Sequence, residues 1–357
     1  MNKQSDLNVK YQAYFTKLDR KNKQGAPTQA LIYSDKLNID FKYSEGAYNR
    51  PFHIASIGKM MTACIIGILL DIKQLSLEDR ITKFLHGDLL SELFEYKGID
   101  YLDQITIGHL LSHTSGIADY FESTVYAGSS FVDQIMSEPD KLWTPQMLVD
   151  FTRNNQTAHS APGSFYYSDT GYVLLGLIIE KVTGQQFQKV LTDLVFNPLG
   201  MNDSYLLFGG QPSKPKQPIA PIWFNGKEIS TLNMLSCDWA GGGVVSTLPD
   251  LLVFQKAFWS GKIVSSDFIE IMSTISNKFR AGMFYGSGMM ELRYEGFFFL
   301  LRGLPRPKGH SGILATAMFY DQTNDVHTII NLGSNKRVVD SFKALIYIAQ
   351  NINRITK

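Results

Sequence analysis

Two short apolar-rich stretches near the start of the chain, residues 29–33 and 37–43, are joined by Ser34-Asp35-Lys36 and read as a strand pair with a turn between them. Residues 56–72 follow a helical spacing that is apolar on most faces, which predicts a helix through the middle of a domain. Further helical segments are predicted at 107–111, 145–152, 171–182 and 186–195, separated by loops rich in Gly, Ser and Pro. Residues 208–222 hold Pro212, Pro215, Pro218 and Pro221, a density that forbids a helix interior and predicts an extended surface excursion. After a helix at 249–259 the pattern turns strand-like at 285–292, 296–301, 313–320 and 326–332, and it closes on a helix at 338–352. Strands at both ends with helices between them imply one sheet built from the two termini and a helical lobe inserted in the middle.

Composition narrows the function. The 357 residues are 44% hydrophobic, enough for a large core in one domain or two. Lys+Arg 34 against Asp+Glu 33 leaves a net charge of +1 without a basic block, which argues against nucleic acid or an anionic membrane as partner and points to a small molecule or short peptide. Cys64 and Cys237 form no Cys-x-x-Cys pair, and the seven histidines form no His-Glu-x-x-His, so neither a metal nor another cofactor is expected. Residues 1–10 carry no apolar run of the kind a secretory leader has, and residues 60–70 are too few to span a membrane, which takes about 20. Compartment and oligomeric state stay open.

Ser56-Ile57-Gly58-Lys59 is a Ser-x-x-Lys at a helix start, where the spacing stacks hydroxyl and amine on one face. A serine hydroxyl needs an adjacent base, and the apolar helix behind Lys59 can desolvate its ammonium. The helix start also offers backbone N–H groups to a developing oxyanion. The other Ser-x-x-Lys, Ser213 to Lys216, lies in the proline-rich loop, and Gly-x-Ser-x-Gly is absent. Taken alone, the tetrapeptide is equally compatible with a surface Ser and Lys.

Tyr167 lies before a loop-to-helix junction, where such a residue usually packs; a nearby lysine that depressed its phenol would let it take the serine proton. Asp169 reads most simply as a cap of the following helix. In Lys308-Gly309-His310-Ser311-Gly312 the two glycines would let a substrate backbone approach an edge strand, against the plainer reading of a glycine turn with a surface histidine.

In combination these segments resemble the serine β-lactamase and penicillin-binding-protein superfamily, in particular the branch that holds class C β-lactamases, D-alanyl-D-alanine carboxypeptidases, D-aminopeptidases and related esterases. Ser56-x-x-Lys59 is similar to the family's first motif, Tyr167-Ser168-Asp169 stands where it has Tyr-x-Asn or Tyr-x-Ser, and His310-Ser311-Gly312 where it has Lys-Thr-Gly or His-x-Gly. Residues 105–117, with Leu110-Leu111-Ser112-His113-Thr114-Ser115-Gly116, resemble the family's Leu-Leu-Ser-His-Thr-Ser-Gly segment. Asn197-Pro198-Leu199-Gly200-Met201 and the run 240–247 with Asp250 behind it match two more.

The resemblance implies an α/β (α+β) fold, with an antiparallel sheet flanked by helices plus a mainly helical lobe. Within one domain over 1–357, the α/β lobe would take about 25–75 and 240–357 and the helical lobe about 76–239, with the site in the groove between them. It implies an acyl-enzyme on Ser56, proton transfer by Lys59 and Tyr167, an oxyanion hole from the backbone N–H groups of Ser56 and Ile313, and substrate contacts from Asp169, His310, Ser311 and Gly312. Two departures shape the substrate. Asp169 replaces an amide and can only accept hydrogen bonds, and His310 replaces a lysine and is mostly neutral near pH 7. Both favour small esters or D-amino-acid amides and peptides over a lactam. Lactam hydrolysis is the first alternative, and a penicillin-binding sensor or structural protein with little turnover the second.

Overall fold

The computed structural model describes residues 3–22, 25–44, 46, 48–209 and 217–357. Its main sheet has eight strands: β1 (Gln29–Ser34), β2 (Ile39–Ser44), β3 (Asn277–Arg280), β4 (Met283–Tyr285), β5 (Met290–Leu292), β6 (Lys308–Gly312), β7 (Thr316–Asp321) and β8 (Val326–Asn331). They run β3-β4-β5-β6-β7-β8-β1-β2, every neighbouring pair antiparallel. Gln29 of β1 faces Asn331 of β8, so the sheet joins the two ends of the chain, as the distribution of strand-like segments implied.

Four helices flank the sheet: α1 (Lys3–Arg20), α2 (Gly58–Asp71), α3 (Asp169–Thr183) and α4 (Val338–Thr356). The two-residue period of the strands sends alternate side chains to opposite faces of the sheet. Ala30, Ile32, Ala317, Phe319 and Ile330 enter one core with α1 and α4, while Leu31, Met318 and Ile329 enter a larger core with α2 and α3. Helix α2 is buried along almost its whole length, which explains its lack of a polar face. Among the described residues no helix is long and apolar enough to cross a membrane.

The structure departs from the sequence pattern in several places. Helix α1 was not anticipated. Its buried Leu7, Tyr11, Phe15 and Leu18 are spaced by four, four and three in an otherwise polar segment, and the rings of Tyr11 and Phe15 meet Phe41 and Tyr43 of β2 at 5.4 to 6.0 Å. The expected strand at 285–292 is two strands folded back at Gly286–Met289, where Gly288 takes φ +74 and the Gly286 N–H donates to the Met289 carbonyl. Residues 296–301 form short helical turns. The strand expected at 313–320 starts at Lys308, reverses after Gly312 and resumes at Thr316, with Ala315 at φ +59 closing the hairpin onto the Gly312 carbonyl. Of the proline-rich loop, Pro212, Pro215 and the second Ser-x-x-Lys lie outside the described residues. Ahead of Pro221, the Ala220 N–H bonds to the Pro51 carbonyl at 2.7 Å, and Arg50 donates to the carbonyls of Pro218 and Ile219, so this part of the loop is laid along the chain.

Candidate active site

Ser56 sits in a single helical turn, Ala55–Ile57, that runs straight into α2. As the first helical turn, it leaves the Ser56 N–H without an acceptor one turn earlier. Ala55 is held at φ +50, a strained conformation for a residue with a Cβ, so the turn is imposed by its surroundings. Those surroundings are glycines. A Cβ on Gly242 would lie 2.8 Å from the Ala55 carbonyl and 3.1 Å from the Ser56 nitrogen, and one on Gly312 would lie 2.6 Å from the Ala55 Cβ. Gly309 is equally constrained, since a Cβ there would meet the Met318 carbonyl at 1.9 Å. Gly309 therefore makes room for the backbone of β7, and Gly312 for the Ala55 and Thr316 side chains. Strand β6 is also not a sheet edge, although its pairing to β5 ends at Gly309, so Ser311 and Gly312 face open space on that side.

Lys59, one helical turn on, is fully buried. Its three ammonium protons have three acceptors: the Ser56 hydroxyl at 3.2 Å, the Gly241 carbonyl at 2.7 Å and the Asp169 carboxylate. The ammonium also lies over the rings of Tyr167 and Tyr172, at 5.1 and 5.4 Å from their centroids. The amine thus donates to Ser56, and the serine's own proton is free to turn toward Tyr167, its other hydrogen-bond partner.

Asp169 does not cap α3. Ser168 does, accepting the Gly171 N–H, which leaves Asp169 as the first helical residue, turned to Lys59. The Tyr167 loop is pinned by His113, whose carbonyl accepts the Tyr166 N–H at 2.8 Å and whose Nδ1 accepts the Ser168 N–H at 3.1 Å. His113 itself takes φ +56.

Electrostatics revise two expectations. The phenol of Tyr167 is raised well above its usual range, first by burial and then by the Asp169 charge, so the lysine does not depress it. The reason is geometric: the lysine charge sits over the ring face and is paired with Asp169. His310 is not a surface residue and does not line the groove. It is fully buried, its Nδ1 donates to the Ser311 carbonyl at 2.8 Å and its Nε2 accepts from the Tyr285 hydroxyl at 3.1 Å. Burial and then the Lys59 charge push it down to about 3, so it is a neutral prop under β6.

The groove above these groups has a volume of about 160 Å³. Ser56, Tyr167, Asp169, Ser311, Gly312 and Ile313 line it beside the apolar Phe121, Phe279, Met283, Met290, Val338 and Phe342. Among the described residues its only basic lining residue is Arg280, held by Glu122 at 2.9 Å. Two carboxylates escaped the sequence reading. Asp119, fully buried, accepts the N–H groups of Asp169 at 2.9 Å and Glu122 at 2.8 Å, and is pushed up to about 8 by burial and the Asp169 charge. Asp238 lines the groove and is pushed up to about 7 by the same two causes. Neither belongs to a local pattern. The Gly241 carbonyl does lie in a glycine run that the sequence displays.

The sequence matches the Beta-lactamase family over residues 31–350. Penicillin-binding protein 4 of Amycolatopsis lactamdurans is 31% identical over 160 residues, covering 44% of this chain and 36% of that protein. A D-aminopeptidase of Brucella anthropi is 28% identical over 113 residues, covering 30% and 20%. Among solved structures, D-amino acid amidase from Ochrobactrum anthropi SV3, complexed with L-phenylalanine amide, has a TM-score of 0.77 and 22% identity, covering 98% of this chain and 100% of that one. The chain spans between 36% and 41% of the length of three penicillin-binding relatives. The family match runs through all three segments that carry Ser56, Tyr167 and Ser311, and the chain belongs to the Beta-lactamase family.

Proposed function

We propose that this protein is a serine hydrolase that forms an acyl-enzyme on Ser56 and acts on small esters or D-amino-acid amides and peptides. The observation that carries the reading is Lys59: a fully buried ammonium with all three protons engaged, one of them on the hydroxyl of Ser56 in a groove. In acylation, Lys59 passes a proton to Asp169 and, as the free amine, takes the Ser56 proton while Oγ attacks the carbonyl carbon. The Ser56 and Ile313 N–H groups receive the oxyanion. Tyr167, protonated at rest, gives its proton to the leaving alcohol or amine and regains one from the Lys59 ammonium. Water reverses these steps to release the acid.

The groove favours esters and amine-bearing substrates over lactams. A penicillin carboxylate would find no unpaired cation among the described lining residues, because Arg280 is engaged by Glu122 and His310 is neutral and buried. The test compares kcat/KM for nitrocefin, a p-nitrophenyl ester and a D-alanyl anilide in the wild type and Ser56→Ala. The ester or anilide is expected to exceed nitrocefin, and Ser56→Ala to lose at least about a thousandfold in kcat. Wild-type turnover by Ser56→Ala refutes the nucleophile, and a leading nitrocefin value refutes the substrate class.

A further inference from the structure

Three carboxylates line the groove, and two are already engaged: Asp169 by Lys59, and Glu122 by Arg280 at 2.9 and 3.2 Å. Asp238 differs. Among the described residues its polar contacts are the Cys237 thiol, which donates to Oδ1 at 3.8 Å, and Nε2 of His53, 3.6 Å from Oδ2, while the charges of Asp169 and Lys59 act on it from farther away.

His53 is 1% exposed and has one ring nitrogen committed, since Nδ1 accepts the Ala55 N–H at 3.1 Å. The remaining proton is therefore on Nε2, which has no hydrogen-bond partner within normal reach and is directed at Asp238. Burial holds the imidazole down to about 4, so it brings no charge to the carboxylate. The same ring touches the residue before Ser56 on one side and Asp238 on the other. Residues Phe52–His53 are paired in register to Val244–Ser246, the strand that follows the Asp238 turn, which fixes the spacing from both directions. A carboxyl that burial and the Asp169 charge raise to about 7, that the Lys59 charge lowers, and that has no cation within hydrogen-bond reach among the described residues is thus held one imidazole's width from the turn that carries Ser56.

We propose that Asp238, positioned by His53, binds a primary ammonium group of the substrate, which makes the preferred acyl donor one with a free amine close to the scissile carbonyl. This rests on the acyl-transfer reading of Ser56, and goes beyond it by naming the group that is recognised and the residue that recognises it. A charge-assisted hydrogen bond in a partly closed groove discriminates strongly against the same compound with its amine acylated, which loses the charge and gains bulk.

Binding to Ser56→Ala tests the anchor without any turnover. Calorimetry at pH 7.5 would compare D-alaninamide with N-acetyl-D-alaninamide, first in Ser56→Ala and then in Ser56→Ala/Asp238→Asn. The free amine is expected to bind at least about tenfold more tightly in the first protein, and the ratio to fall below about threefold in the second. Equal affinities in Ser56→Ala, no measurable binding of either amide, or a preference that survives Asp238→Asn overturns the proposal. The first comparison needs no change at Asp238, so it stands whether or not the double variant folds. Failure of the Ser56 reading has a separate signature, undiminished turnover by Ser56→Ala, and leaves this binding ratio unaffected.

Discussion

At the scale of single residues, the proposed mechanism divides the proton work between Lys59 and Tyr167. The ammonium is saturated with acceptors, whereas burial and the Asp169 charge hold the Tyr167 phenol in its neutral form, so in that proposal Tyr167 starts the cycle as an acid. Tyr167→Phe isolates that role. The ring stacks on Phe279 at 4.9 Å and meets His113 at 4.3 Å, contacts that phenylalanine keeps. Loss of the hydroxyl should lower kcat by about 10²- to 10⁴-fold, the usual range for a removed general acid or base, and leave Tm nearly unchanged. Steady-state kinetics with a p-nitrophenyl ester would check this, and a variant with nearly full kcat would reduce Tyr167 to a packing residue. Ser56 and Lys59 were readable as a pair because a helix start leaves a local mark, whereas Tyr167 alone read as a packing residue and took its proposed role from the family resemblance. The charge state of Tyr167 was not readable, because it depends on which carboxylate the lysine meets across the fold.

At the scale of elements, the site is made where glycines let backbones touch. The start of α2 lies against the turn 239–242, so that a Cβ on Gly58 would sit 3.0 Å from the Gly242 Cα, and this contact delivers the Gly241 carbonyl to Lys59. Gly242→Ala would place a methyl against the Ala55 carbonyl and the Ser56 nitrogen, both backbone atoms that cannot swing aside. Overpacking of this kind costs roughly 1–3 kcal/mol, and here the displaced group is the turn that carries Ser56. We expect a measurable fall in Tm and at least about a tenfold loss in kcat, since small misplacements of reacting groups are costly. Wild-type kcat in that variant would mean the turn is not held by this contact. The strand pair near the start of the chain and the apolar helix α2 were readable because their periods are local. Helix α1 was not, since four apolar residues in a polar segment acquire meaning only once β2 offers Phe41 and Tyr43. The folded-back strands at 285–292 and 308–320 share that reason: their breaks are set by close packing, such as the 2.5 Å approach a Gly288 Cβ would make to Ala63.

At the scale of the whole molecule, buried ionisable groups set how stability depends on pH, and they act in opposite directions. Burial lowers His53, His109, His113, His310 and His327, with His53 and His327 near 4 and His310 near 3. Their stabilisation is fully present above the unfolded value of about 6.5 and is lost as pH falls toward those folded values, because the unfolded chain then binds more protons. Asp119 and Asp238 are raised to about 8 and about 7, far above an unfolded value near 3.9. Their stabilisation is present at low pH and is lost as pH rises through 7 and 8. Between pH 4 and 6.5 His53, His310 and His327 already outnumber the two carboxyls, and His109 and His113 act in the same direction, so stability rises with pH. Above 6.5 only the carboxyls of this set still titrate, and it falls. Calorimetric Tm should therefore peak between about pH 6 and 7, and Asp119→Asn/Asp238→Asn should flatten the decline above the peak while keeping the acid limb. A Tm that climbs steadily from pH 6 to 9 in the wild type would show that these two carboxyls are ionised in the fold. The Asp238 carboxyl would then carry its charge through neutral pH, and the affinity of the groove for an ammonium ligand would no longer rise across pH 7.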